Sequence, residues 1–410
     1  MHRTNRRDVW GSLAAGFVAM TLAAAAPAGQ PGSPDDRVVR LLTELTNAHG
    51  APGFEGPVRN ILRREWQPLL TDLHTDGLGN LLGTRRGRAD GPRVLLMAHM
   101  DEVGFLVRHI DDNGFIYFHG VGGYFDQSVL TQRMAILTPK GVIVGYTGMK
   151  SGHILRPAER TQMVPIENMF IDIGARSRQE AMERFGVRPG LPIVYHGEFE
   201  VLNGTGRYLA KAWDDRVGLA AITEALRQLE GAHPNTVVVA ATVQEEIGLR
   251  GASVVQVSTN PDIVINLEIG IAGDFPLLTS PTLSQEALGK GPSVFVFDNS
   301  MIPNNNLVEW IIKVAGEGGI PLQFESVTGY GEDGAMLQKS ATGIPAVNIG
   351  VPTRYGHSQL GVIDRADFDN TVRLLVEMLR RLSASEVEAI RDFDASDRAI
   401  VSTPVRTGPQ

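Results

Sequence analysis

The chain of 410 residues contains no cysteine, which excludes disulfide staples, thiolate nucleophiles and cysteine-ligated metal sites but leaves the compartment open. Any metal must sit on His, Asp and Glu. Segregated charge is also lacking: the net charge of -8 is modest and unclustered, so no electrostatic footprint favours nucleic acid or an anionic membrane surface. Neither partner is expected. Internal repeats and low-complexity tracts are absent too. What remains is 43% hydrophobic and 20% charged, enough to bury a large core, and at this length two domains are expected.

The ends carry their own signals. "MHRTNRRDVW" is basic, and the apolar run from Trp10 to Ala26 is too short for a membrane span but suits a signal h-region. Ala26-Pro27-Ala28 offers an A-x-A cleavage site, giving a signal segment over 1–28, and Arg6-Arg7 sits where a twin-arginine signal carries its pair. The expected location is therefore outside the cytoplasm, periplasmic or secreted, with no membrane attachment after processing. At the other end, 384–410 reads as a polar tail.

Between these ends, apolar spacing alternates between helix and strand. Asp36 to Ala48, Gly56 to Leu69, Arg216 to Leu229, "NNNLVEWIIKVAGEGG" and Asp367 to Leu382 read as helices. "PRVLLMA", "NTVVVAATV", "DIVINL" and "IPAVNIGV" read as strands. This alternation predicts an α/β fold with a mostly parallel sheet covered by helices on both faces. Short β-prone pieces and many glycines break the rhythm over 107–202, which predicts an inserted β-rich, barrel-like domain. The catalytic domain is then divided into 29–106 and 203–383.

The acids and histidines fall at strand ends, where ligands bind in open α/β sheets. His99 and Asp101 follow "VLLMA", Glu245 and Glu246 follow "VVVAATVQ", Glu268 follows "DIVINL", and His357 lies beyond "AVNIGV"; Asp214 and Asp215 precede a helix. Taken singly, each has an ordinary reading, such as a core histidine, a helix cap or a solvated loop. Together on one edge they would repel one another and resist desolvation unless cations neutralise them. Carboxylates with imidazoles and no thiolate suit zinc, cobalt or manganese. His109, His119, His153, His196 and His233 fall in the insert or on surfaces and receive no role.

The segments "AHMDEVGF", "FIDIGARS", "GRYLAKAWDDRVG", "QEEIGLRGA" and "PTRYGHS", in that order over roughly 36–382, resemble the glutamyl aminopeptidase or TET (tetrahedral) aminopeptidase family of dinuclear metallopeptidases. The resemblance implies a metal-dependent aminopeptidase with two divalent ions per subunit, zinc or cobalt. His99 would bind one metal, with Asp101 orienting its imidazole. Asp214 would bridge both metals, its peptide bond to Asp215 being cis in the family. Glu246 and His357 would hold the second metal, and Glu245 would be the general base. Where the family usually has Asp, this chain has Glu268, with no other acid before Asp274; Glu268 is taken as the terminal ligand of the His99 metal. The loop "GYGEDGAM" also departs from the family's version, apart from Asp333. Peptide substrates are implied, as is a β-rich insert that pairs subunits into dimers and then a dodecamer. A carboxypeptidase or N-acyl amino acid deacylase would share the metal shell, and a non-enzymatic relative would lack a ligand or the base.

Overall fold

The computed structural model describes residues 36–276, 278 and 283–394. The expected signal segment and residues 395–410 lie outside them. An 11-stranded sheet forms the larger unit. At its centre the strands Thr236–Thr242, Arg93–His99, Ile263–Ile271 and Ala346–Arg354 lie side by side and parallel. Antiparallel strands flank this centre, Leu81–Arg85 on one side and Gly361–Asp364 on the other.

The continuous apolar reading of these central strands follows from burial on both faces. Val94, Leu96, Ala98, Val237, Val239 and Ile265 pack toward the helices Arg37–Asn47, Trp213–Gln228 and Arg365–Arg381. Alternate residues Leu95, Met97, Val238, Ala240 and Val264 pack on the opposite side with Ala252, Val255, Ala335 and Leu337. Side chains alternate across a strand, so consecutive residues serve two cores. The helices start where capping chemistry permits: Asp36 accepts from the Val38 amide at 2.9 Å, and Asn304 from the Leu307 amide at 2.8 Å.

The β-rich insert is a closed six-stranded barrel. Its strands run from Gly104–Ile110 to Pro192–Tyr195, so it begins just before the expected boundary at 107. Phe105 anchors its core, meeting Phe118 and Tyr195 edge-on with centroids 5.2 and 5.6 Å apart. The expected polar tail needs correction over its first part. Ala384–Arg391 is a helix capped by Ser383, with Val387 and Ile390 buried in the main core. Two apolar side chains three residues apart suffice to dock such a short helix on an existing surface.

Candidate metal centre

All seven residues singled out in the sequence meet at the carboxyl edge of the parallel strands. His99 ends its strand in register with Thr242, the last residue of the neighbouring strand, and that chain continues into Glu245 and Glu246. Glu268 lies inside a strand rather than just past its end, because this strand continues to Ile271. Its pairing with the His99 strand stops at Asn266–Met97, while pairing with the Ala346–Arg354 strand continues through Glu268–Gly350 and beyond. The divergence opens the crevice that Glu268 faces. His357 arrives on the turn after Arg354.

Asp214 occupies the centre, with a cis peptide bond to Asp215. Its Oδ1 stands 2.8 Å from His99 Nε2 and its Oδ2 stands 2.9 Å from His357 Nε2. Beside the first histidine, Glu268 Oε1 is 3.8 Å from Nε2; beside the second, Glu246 Oε1 is 3.6 Å from Nε2. Glu245 Oε2 lies 4.0 Å from His99 Nε2. Donor atoms of His99, Asp214 and Glu246 fall within 4.8 Å of one another, as do those of His99, Asp215 and Glu268. Asp215, read from the sequence only as part of a helix start, is therefore also part of the cluster.

Asp101 acts more broadly than expected. His99 Nδ1 is 3.1 Å from the Asp101 carbonyl oxygen and 3.6 Å from its carboxylate. That carboxylate accepts from the backbone amides of Glu245 and Glu246, both at 3.1 Å. One side chain thus ties the His99 strand to the Glu245–Glu246 turn. Asp274 is committed elsewhere, since both its carboxylate oxygens accept from Arg354, at 2.7 and 2.6 Å. Sequence reasoning passed over a supporting ion cluster: Glu102, directly after Asp101, accepts from Lys211 Nζ at 2.7 and 2.8 Å and stands 3.4 Å from Arg216 Nη2, all three residues being buried. Two cations flanking the Asp214–Asp215 pair, Lys211 before it and Arg216 directly after it, were the available signal.

Burial dominates the electrostatics. It raises the carboxyls of Glu245, Glu268 and Asp215 well above the usual range and Glu246 to about 7. Asp214 moves down: burial opposes its charge, but hydrogen bonds from His357 and His99 outweigh it. Burial likewise works against protonation of the histidines. Glu268, Asp101 and Asp214 nevertheless raise His99 well above its ordinary value, and Glu246 and Asp214 raise His357 to about 10. The cluster stabilises positive charge at its centre.

A divalent cation fits that demand. Glu246 Oε1 and Asp215 Oδ2 are buried without a hydrogen-bond partner, which is costly unless another group satisfies them. At metal–ligand distances of about 2.1 Å in a tetrahedral shell, two ligand atoms stand roughly 3.4 Å apart. The 3.8 and 3.6 Å histidine–glutamate separations suit such sharing. The crevice opens into a cleft of about 350 Å³, bordered also by Gly123, Leu249, Gly329, Tyr330 and Gly331.

Comparisons with known proteins match this architecture. The family model described as M42 glutamyl aminopeptidase matches residues 79–374. The chain is similar to a TET aminopeptidase from the archaeon Thaumarchaeota archaeon SCGC AB-539-E09, with 40% identity, a TM-score of 0.83, and coverage of 87% of this chain and 100% of that one. It is 33% identical to the lysyl aminopeptidase of Pyrococcus furiosus, over 83% of this chain and 96% of the relative. The TET1 peptidase of Pyrococcus horikoshii, described as assembling into a tetrahedron or a large octahedral shell, is 30% identical with a TM-score of 0.75, over 84% of this chain and all of that one.

Proposed function

The chain belongs to the M42 glutamyl aminopeptidase family, and from that membership and the geometry of the crevice we propose that it removes N-terminal residues from peptides using two divalent cations, zinc or cobalt. The placement of Asp214 between two histidines carries this reading, each carboxylate oxygen facing one Nε2. His99, Asp214 and Glu268 would hold one cation; His357, Asp214 and Glu246 would hold the other. When bound, such a pair supplies an activated water and polarises the scissile carbonyl.

The remaining steps belong to the protein. Glu245 borders the cleft, with its backbone fixed by Asp101. As general base it takes the attacking water's proton and passes it to the leaving amine, a role worth roughly 10²–10⁴ in rate. Burial of Glu245 strengthens its hold on that proton between the two transfers. Among the described residues bordering the cleft there is no lysine or arginine to bind a substrate carboxylate, which favours recognition of a free amine over a carboxypeptidase or deacylase reaction. The test is to strip the protein of metal, reconstitute it with zinc or cobalt, and compare free-amine with N-acetylated aminoacyl substrates. Equal cleavage of the two would refute the aminopeptidase reading.

Assembly through the barrel follows from its surface. Val142, Val144 and Tyr146 alternate along one barrel strand with 48, 42 and 47% exposure, an apolar stripe of the kind that marks an interface. Dimers joined there would build a dodecamer, which light scattering reads directly; a monomer at micromolar concentration would contradict it. Export is proposed from the first 28 residues. Changing Arg6 and Arg7 to Lys should leave the protein uncleaved inside the cell if the twin-arginine route is used, and normal processing would remove that route.

A further inference from the structure

We infer that Tyr330 sets the specificity for the N-terminal residue and selects uncharged, apolar side chains; this rests on the aminopeptidase reading above. Tyr330 stands in the loop "GYGEDGAM" and borders the cleft with Glu245, Glu268 and His357. Its ring is fixed twice. It stacks on Phe295 at 5.6 Å between centroids with an interplanar angle of 7°, and its hydroxyl donates to the Ile269 carbonyl at 3.2 Å. Phe295 is buried in the main sheet, so Tyr330 closes the inner end of the cleft. The scissile bond of an aminopeptidase substrate lies one residue from the free end, and only the terminal residue has no chain beyond it. Its side chain is therefore the one that meets this inner wall.

Among the described residues, and apart from the proposed ligands and base, the wall provides no charge for a charged side chain. Beyond the proposed ligands and base, the cleft is bordered by Gly123, Gly248, Leu249, Gly329, Tyr330 and Gly331. The Tyr330 hydroxyl is already engaged, leaving an aromatic surface and an aliphatic one. A glutamyl side chain would enter beside carboxylates without a cation of the protein to meet it. Among the described residues bordering the cleft, a lysyl side chain would meet no acid that is not already committed to the site. Glu332, although its carboxylate is buried without a hydrogen-bond partner, does not border the cleft. An unpaired charge in such a cleft is disfavoured by at least about tenfold in binding.

The experiment uses the metal-reconstituted full-length protein and a panel of aminoacyl p-nitroanilides that differ only in the N-terminal residue. Leucyl and phenylalanyl substrates should exceed glutamyl and lysyl ones in kcat/KM by at least about tenfold. Tyr330→Phe should keep this order. Tyr330→Gly should raise KM for the leucyl substrate more than it lowers kcat and flatten the order, and Tyr330→Arg should move it toward glutamyl. Free leucine should raise the melting temperature of the parent more than free glutamate does, and Tyr330→Gly should lose that difference at unchanged metal content. A parent that prefers glutamyl or lysyl substrates, or an order unchanged in both Tyr330→Gly and Tyr330→Arg, would overturn the inference alone. Failure of the parent to cleave any free-amine substrate would overturn the aminopeptidase reading and this inference with it.

Discussion

Shortening Glu268 by one methylene tests the metal geometry most directly, because its reach can be calculated. Glu268 Oε1 lies 3.8 Å from His99 Nε2. Two atoms bound to one cation at about 2.1 Å each can stand no more than roughly 4.2 Å apart, even in a linear arrangement. Glu268→Asp withdraws the carboxylate by one carbon–carbon bond, about 1.5 Å at most, which carries the separation to roughly 5 Å. Sharing a cation with His99 would then require the backbone to move. Here the backbone is a central strand, hydrogen-bonded in parallel register to Gly350 at Glu268 itself, so movement is resisted.

Glu268→Asp should therefore fold normally but bind the His99 cation more weakly by at least about tenfold, a loss in the range seen even when groups around metal ligands are altered. Glu268→Ala should empty that position. The assay is metal content after dialysis, then recovery of peptidase rate against added zinc or cobalt, with circular dichroism to confirm folding. If Glu268→Ala titrates with metal like the parent, Glu268 is not a ligand. Asp274 could not replace it without breaking its two contacts with Arg354.

Glu245→Gln should retain both cations yet lose roughly 10²–10⁴ in kcat, whereas Asp214→Ala should lose both cations; two full sites in Asp214→Ala would sink the bridging role. Glu102→Ala would leave Lys211 and Arg216 as buried charges without their carboxylate and should cost about 3–5 kcal/mol of stability, read as denaturant midpoint; an unchanged midpoint would show that the cluster contributes nothing. In metal-free protein, Glu246 is raised by burial from 4.5 to about 7, so the folded chain holds a proton the unfolded chain has released, and stability should fall by on the order of 3 kcal/mol as pH rises through that interval. His357, raised to about 10, stabilises the fold below its unfolded value and loses that contribution as pH climbs toward 10, so it acts in the same direction. Saturating metal should abolish the fall, and metal-free protein that gains stability between pH 5 and 7 would refute the electrostatics.

The sequence made some parts of this legible because local and tertiary demands coincide there. "VLLMAH" reads as a buried strand that stops on a histidine because both of its faces are covered and its end meets the crevice. Glu268 lies beside His99 in the crevice, but "DIVINL" marks only part of its strand: "LEIGI" continues the sheet only because the Ala346–Arg354 strand runs alongside it, a partner remote in sequence. The Ala384–Arg391 helix was hidden because just two of its side chains are buried, and its polar remainder matches a solvated tail. The Arg354–Asp274 pair joins residues far apart in the chain, as does the grip of Asp101 on Glu245 and Glu246. Chemistry-bearing residue types could be read along the chain, but the contacts that orient them could not.

Those contacts also explain how the site persists on turns that the backbone disfavours. Ala212, Gln244, Leu249, Tyr355 and His357 all have left-handed φ values, between 53 and 63°, and they flank Asp214, Glu245, Glu246 and the His357 turn. Each such non-glycine residue costs on the order of 1 kcal/mol or more and persists only where surrounding structure over-determines it. That structure is present at the Glu245–Glu246 turn and at the His357 turn. The Glu245 carbonyl accepts from the amides of Gly248 and Leu249 at 2.9 Å while Asp101 holds the Glu245 and Glu246 amides. Ser358 Oγ donates to the Tyr355 carbonyl at 2.7 Å, and Arg354 braces the start of the same turn through Asp274. The proposed ligands are thereby presented by rigid strand ends and buttressed turns, so little ordering is left for cation binding to perform. A site of mutually repelling buried carboxylates requires this arrangement: without the braces the turns would relax and carry the acids out to water, and cation binding would have to supply the cost of bringing them back.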